Sequence, residues 1–326
     1  MKSQTSLLNK ALFSHFNGTV FWLTVVFMAL NIIALPMAIW VITFDRDMIP
    51  DYQLPANFLY QMSAGQLIIG MIFSSFLAVF LLNYLNDEAS SDFMHGLPVK
   101  RTSILTHALI TGVLAIVVPL LITAGLLFIE RMIFIPEIAA VDILKWFAYA
   151  LFVHCVIFAI SIFTGFLVNG IFLHLQMILV ALFLPLVTWI IIYTAATVLF
   201  DGISTSFTAN AEPVLNATFP YIAVLQLNEG FNFTISLIWG IAAHILIGLS
   251  YVLYKLRRNE YVTHSFNYAW LKNALVAVLT VIGMLAMGAL VSFFIPMSLI
   301  ISVLAFMIGA VVTFIVAEML FQKNVK

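Results

Sequence analysis

The sequence predicts an all-α integral membrane protein with about eight transmembrane helices, and three observations carry that reading. Hydrophobic residues make up 64% of the 326-residue chain and charged residues only 8%. A soluble domain carries roughly 25% charged and 45–50% apolar residues, and no globular core hides this much apolar surface behind so thin a charged shell. The apolar residues also fall in unbroken runs, and a helix needs about 20 such residues to cross the hydrocarbon layer. Finally, the basic residues concentrate in every second connection. A β-barrel is excluded, because its strands alternate over roughly 10-residue segments and give no such runs.

Taken in order, residues 1–18 come first. Leu8, Leu12 and Phe16 recur every four positions, with Lys2 and Lys10 nearby. That spacing suits a short interfacial helix lying on the membrane surface; a frayed tail is the other reading. The apolar run then continues well past the 7–15 residues of a signal-peptide core, and no A-x-A-like site follows. No cleaved signal peptide is expected. The predicted spans are Thr19–Phe44, Phe58–Leu85, Ile104–Ile129, Ile143–Val168, Ile171–Phe200, Phe233–Tyr254, Trp270–Phe294 and Met297–Phe321. Asn169-Gly170, a turn-type dipeptide, separates the fourth span from the fifth, and Pro296 separates the last two. The chain thus divides into the segment 1–18, a six-span core over 19–260, and two further spans over 261–326. The core carries a polar loop at 86–103 and a long loop at 201–232.

Orientation follows from the basic residues of the short loops. With the N-terminus inside, the cytoplasmic side receives Lys2, Lys10, Lys100, Arg101, Lys255, Arg257, Arg258, Lys272, Lys323 and Lys326, and the outside only Arg46, Arg131 and Lys145. Both termini are then cytoplasmic, in a multi-pass protein of the cell membrane.

The interior constrains chemistry by what it lacks. Every Asp, Glu, Lys and Arg lies in a loop or near a span end, Glu318 among them; the deepest titratable groups are His154 and His244. Ion-coupled carriers and proton pumps keep ionisable groups at mid-membrane to bind the coupling ion. Each histidine reads first as a hydrogen-bonded packing residue, and Asn31, Gln61 and Gln66 as interhelical hydrogen-bonding groups. The single cysteine, Cys155, excludes a disulfide framework and a cysteine zinc site. No H-E-x-x-H, G-x-S-x-G or G-x-x-x-x-G-K-[ST] motif occurs. No catalytic residue, metal site or cofactor is therefore expected, and the net charge of -1 gives no basic face for nucleic acid. The N-x-[ST] triplets at Asn17, Asn216 and Asn232 matter only in a secretory pathway that glycosylates them.

The loop after the second span reads NYLNDEASSDFMHGLPVKRTSIL, Asn83 to Leu105. Asp87 and Glu88 suit the positive end of a short helix, and Gly96 and Pro98 then stop it. On composition alone this is a solvated loop obeying the positive-inside rule. Its order of residues, a short helix followed by H-G-L-P-V-K-R, resembles the first cytoplasmic loop of type-2 ATP-binding-cassette (ABC) transporter permeases. Bacterial members often carry a phrase like "hsLPikR" there. The matching positions are His95, Leu97, Pro98, Lys100 and Arg101, with Gly96 in place of the usual serine. A second phrase, Tyr254-Lys255-Leu256-Arg257-Arg258-Asn259-Glu260, is similar to the family's "lYrkRxxE" ending after the sixth span.

The resemblance covers about residues 1–260 and implies a division of labour. Two permease chains, identical or related, would work with two separate ABC ATPase subunits. The loop would be the coupling helix, its contacts to the ATPase including Asp87, Glu88, Asp92, His95, Leu97, Pro98, Lys100 and Arg101. The loop 201–232 has no Lys or Arg and holds the apolar run 219–225. It resembles the family's external gate, with Pro213, Pro220, Tyr221 and Leu225 as gate residues; a surface loop resting on headgroups is its simpler reading. The last two spans exceed the family's six-helix core. Thirty Phe and fourteen Met suit an adaptable interior for an amphipathic cargo such as a lipid, peptide or drug, although the same residues also suit contact with lipid. The competing classes are an ion-coupled carrier, with only His154 and His244 to use, and a non-transporting membrane sensor or scaffold.

Overall fold

The computed structural model describes residues 10–46, 58–86, 100–199, 233–256, 266–294 and 299–322. Among them the chain is helical throughout, with one isolated antiparallel bridge, Val168 to Phe266. In hydrocarbon, backbone amides find no water, so helices that satisfy their own hydrogen bonds are the natural spanning element. The helices are α1 (Lys10–Ile32), α2 (Ala38–Arg46), α3 (Phe58–Asn86), α4 (Arg101–Ile133), α5 (Ala140–Gly165), α6 (Ile171–Leu199), α7 (Phe233–Leu256), α8 (Ala269–Phe294) and α9 (Leu299–Gln322).

Among the described residues, six stretches are long and apolar enough to cross a membrane: 20–43, 58–83, 101–133, 140–165, 233–256 and 270–288. This is a membrane protein by construction of its helices. Large apolar side chains lie on the outside, Trp22, Met132 and Phe172 among the most exposed. A water-soluble fold would hide them.

Two local features depart from simple spans. α1 begins at Lys10 and runs unbroken through residues 17–20, so the region read as an interfacial segment continues into the first crossing. Phe16 of that region is fully buried, and residues 1–9 lie outside the described part. Further along, Ile33–Met37 form a π-helical turn that contains Pro36 and joins α1 to α2. Proline has no amide hydrogen and pushes on the preceding turn; a π turn absorbs the mismatch without ending the crossing.

The helices fall into two compact units. The first comprises α1 to α5 and α7. Within it α3 packs chiefly on α5, α1 on α4 and α3, and α7 on α5 and α4. Two contacts fix the sense of α5 against α7. A Cβ on Gly240 would stand 3.6 Å from Phe152, and the Phe166 and Tyr254 rings lie 5.4 Å apart. Both pairs keep the same sequence offset, so α5 and α7 run parallel.

The second unit comprises α6, α8 and α9. α8 and α9 form an antiparallel hairpin with very close backbones. Cβ atoms on Gly283 and Gly288 would fall 1.9 Å from Thr313 and 2.1 Å from Phe306, while one on Gly309 would meet the Gly283 carbonyl oxygen at 2.7 Å. Lys272 Nζ donates to Glu318 Oε2 at 3.0 Å across the hairpin. The predicted turn after the fourth span is present, with Gly170 at φ +88, a backbone region glycine enters without steric penalty. Beside it the Asn267 amide donates to the Leu167 carbonyl at 3.1 Å and Asn169 Nδ2 to Asn267 Oδ1 at 2.8 Å.

Candidate functional site

Most of the residues singled out from sequence lie outside the described part. Asp87, Glu88, Asp92, His95, Leu97 and Pro98 fall between α3 and α4, and Pro213, Pro220, Tyr221 and Leu225 between α6 and α7. The edges of the first loop are described. α3 ends at Asn86, and Lys100 is exposed and extended, at φ -70 and ψ 139. Its carbonyl accepts the amides of Ser103 and Ile104 at 2.9 and 3.3 Å, which starts α4 at Arg101.

One turn into α4, Thr106 Oγ1 and Tyr251 Oη are 2.8 Å apart. Tyr251 stands in the last turns of α7, just before the Tyr254-Lys255 pair. The described ends of the two sequence phrases therefore stand at one end of the first unit. Lys100, Arg101 and Lys255 give that end its positive charge. Phe166, at the end of α5, packs against Tyr254 there as well.

A second cluster occupies the middle of the same unit. Gln66 Nε2 of α3 donates to Asn31 Oδ1 of α1, and Asn31 Nδ2 donates to the Phe27 carbonyl at 2.8 Å. One turn along α3 is Gly70, and a Cβ there would fall 1.8 Å from His154 Nε2 of α5. The imidazole fills the space that a side chain at 70 would take. The Phe27 and Phe73 rings stack at 3.8 Å with a 4° interplanar angle, and the Phe27 centroid is 5.8 Å from that of His154. Asn31, Gln66 and His154 are each fully buried.

Several buried polar atoms of this unit have no hydrogen-bond partner among the described residues: Gln66 Oε1, Ser74 Oγ, Thr111 Oγ1 and both His154 nitrogens. The other residues of interest stand elsewhere. His244 is exposed on α7, its Nδ1 2.7 Å from the Gly240 carbonyl. That nitrogen must carry the proton, because a carbonyl only accepts. Gln61 is exposed on the first turns of α3, and Cys155 is a free thiol of intermediate exposure. No group of three potential metal ligands occurs among the described residues.

The structure thus brings together Asn31, Gln66 and His154, and keeps His244 and Gln61 apart from them. The sequence reading missed Gly70 and Ser74. Their signal was the four-residue spacing Gln66, Gly70, Ser74, which sets all three on one stripe of α3. Comparison with protein-family models, with curated proteins and with solved structures returns no match.

Proposed function

We propose that the chain is the membrane-spanning permease subunit of an ABC transporter. It would work as one of two permease chains in the cell membrane, beside two separate ATPase subunits, and export an amphipathic molecule. The observation that carries the reading is the convergence of its two family-like phrases. Lys100-Arg101 and Tyr254-Lys255, the described ends of the two phrases, lie at one end of one helical unit, tied by the Thr106–Tyr251 contact of 2.8 Å. A docking face for a cytoplasmic ATPase needs that convergence. Two unrelated solvated loops do not.

The topology supports the reading. α5 and α7 run parallel, so the chain between them has to return across the bilayer. α6, with 29 residues, spans about 44 Å at about 1.5 Å per residue, more than the crossing requires. With the α8–α9 hairpin this supports the eight-crossing reading, in which both termini lie on the side rich in Lys and Arg. In the cycle we envisage, ATP closes the ATPases against the loop Asp87–Arg101. α3 and α4, which that loop joins, carry the movement into the bundle. The loop 201–232 opens for release outside.

The reading is tested by purifying the tagged chain from its own membranes in mild detergent. A co-purifying polypeptide with a G-x-x-x-x-G-K-[ST] loop and no spans of its own, hydrolysing ATP, is the expected outcome. Movement of substrate driven by an ion gradient, in liposomes holding this chain alone, would instead establish the carrier. For orientation, cysteines introduced in a Cys155→Ser background should react from outside at positions 51 and 210 but not at 95 or 262.

A further inference from the structure

Most buried serine and threonine hydroxyls among the described residues follow one rule. Thr43, Ser63, Ser75, Thr123, Ser161, Thr164 and Ser250 each donate to a carbonyl three or four residues back on their own helix. Helical hydroxyls commonly do so. Ser74 and Thr111 do not, although they are 0% and 2% exposed. Ser74 also shares its stripe of α3 with Gln66, whose Oε1 is unpartnered, and with Gly70, against which His154 Nε2 rests.

The spacing explains how such a set is satisfied. Positions four apart on a helix have Cβ atoms about 6 Å apart. Placed opposite Gly70, Nε2 therefore lies between Gln66 and Ser74, one turn from each. Neither the Gln66 carbonyl oxygen nor the Ser74 hydroxyl bonds the imidazole directly, and a small molecule with both donor and acceptor character would partner each of them. The chemistry on either side is neutral: a carbonyl oxygen, an imidazole and a hydroxyl. Among the described residues no charged side chain is buried in the first unit's interior beside them.

We propose that this layer is a water-binding site. The pair Asn31–Gln66 would be joined through water to one nitrogen of His154, and water in the same layer would take up the Ser74 hydroxyl. Internal waters typically make about three hydrogen bonds to buried polar groups, and the orphaned atoms supply such partners. Glycine at 70 is what lets the imidazole enter the stripe. The Phe27–Phe73 stack walls the layer from the apolar side. The inference is independent of the ABC reading, because it rests only on the packing of α1, α3 and α5.

Hydroxyl-radical footprinting of the full chain in nanodiscs tests it, since radicals made from bound water mark adjacent rings even where bulk solvent is absent. Phe27 and Phe73 should be labelled several-fold faster than Phe166, which is as deeply buried but packs on Tyr254 at the end of α5, about three turns beyond His154. Gln66→Leu with Ser74→Ala should bring the two rings down to the Phe166 rate. Equal labelling of all three rings in the unaltered chain would overturn the proposal, and that measurement needs no variant to fold. His154→Leu gives a second reading. A hydrated histidine loses hydrogen bonds on replacement, so the melting temperature should fall; a dry orphan is relieved by leucine, and a rise would count against the water.

Discussion

The first unit and the α8–α9 hairpin solve the same packing problem by opposite means. Lipid tails are as apolar as leucine, so helices in a membrane associate through close packing and hydrogen bonds rather than through hydrophobic burial. The hairpin uses close packing. Gly283, Gly288 and Gly309 let the backbones approach until Thr313, Phe306 and Met287 occupy the places of missing side chains. A polar link in it, Lys272 to Glu318, sits near the helix ends. The first unit instead places Asn31, Gln66, Ser74, Thr111 and His154 in its interior. A polar layer is expensive in hydrocarbon and gives way more easily than an interlocked glycine seam. The comparison therefore assigns rigidity to the hairpin and movement to the first unit, the one that also carries the converging family-like phrases.

The comparison can be broken at four places, in decreasing order of effect. Gly309→Leu drives a side chain into the Gly283 carbonyl, which is backbone and cannot swing aside. Overpacking typically costs about 1–3 kcal/mol and sometimes more, and this site belongs at the upper end. Loss of the folded hairpin, followed by equilibrium unfolding in mixed detergent, is the expected outcome. Gly70→Ala comes next, because its obstacle is a side-chain ring. The single change should cost about 1–3 kcal/mol, and Gly70→Ala with His154→Ala should recover much of it. A double-mutant cycle that shows no coupling would remove the Gly70–His154 contact from the account.

Asn31→Ala ranks third. Interhelical polar contacts in membranes average about 0.6 kcal/mol and reach about 1.7, and this change also strips Gln66 of its acceptor. The expected loss lies near the top of that range. Lys272→Met should matter least. Both partners of that ion pair are partly exposed, with side chains 22% and 26% accessible, and such pairs are worth about 0–1 kcal/mol. A larger effect at Lys272 than at Asn31 would reverse the assignment of where polar contacts count.

The contrast also shows what was legible in the sequence. Unbroken apolar runs gave the helices, because hydrocarbon leaves the chain no alternative to helix, and Asn169-Gly170 gave one of their breaks; Pro296 lies outside the described residues. The π turn at Ile33–Met37 was not legible, since Pro36 is equally compatible with a kink or a helix end. The grouping of α6 with α8 and α9 was hidden too: helices apolar on every face carry no stripe that points to a neighbour. Asn31, Gln66 and His154 stood out as polar residues in apolar runs, but their convergence depends on helix rotation, which one chain's composition does not encode. The coupling-loop and gate roles are sequence expectations; of those residues Lys100 and Arg101 lie in the described part, at the start of α4.

The central claim is that the loop Asp87–Arg101 transmits ATPase motion, and Leu97→Asp tests it most directly. A few anchors carry most of the binding energy of an interface, whereas one charge added to a solvated loop changes little. The measurement is ATP hydrolysis by the complex purified through the tagged permease, with Asp92→Lys in parallel as a charge probe on the same segment. The account predicts that both variants insert and fold normally while co-purified hydrolysis is lost. Unchanged hydrolysis and transport in both would contradict it and return the segment to an ordinary connection between α3 and α4.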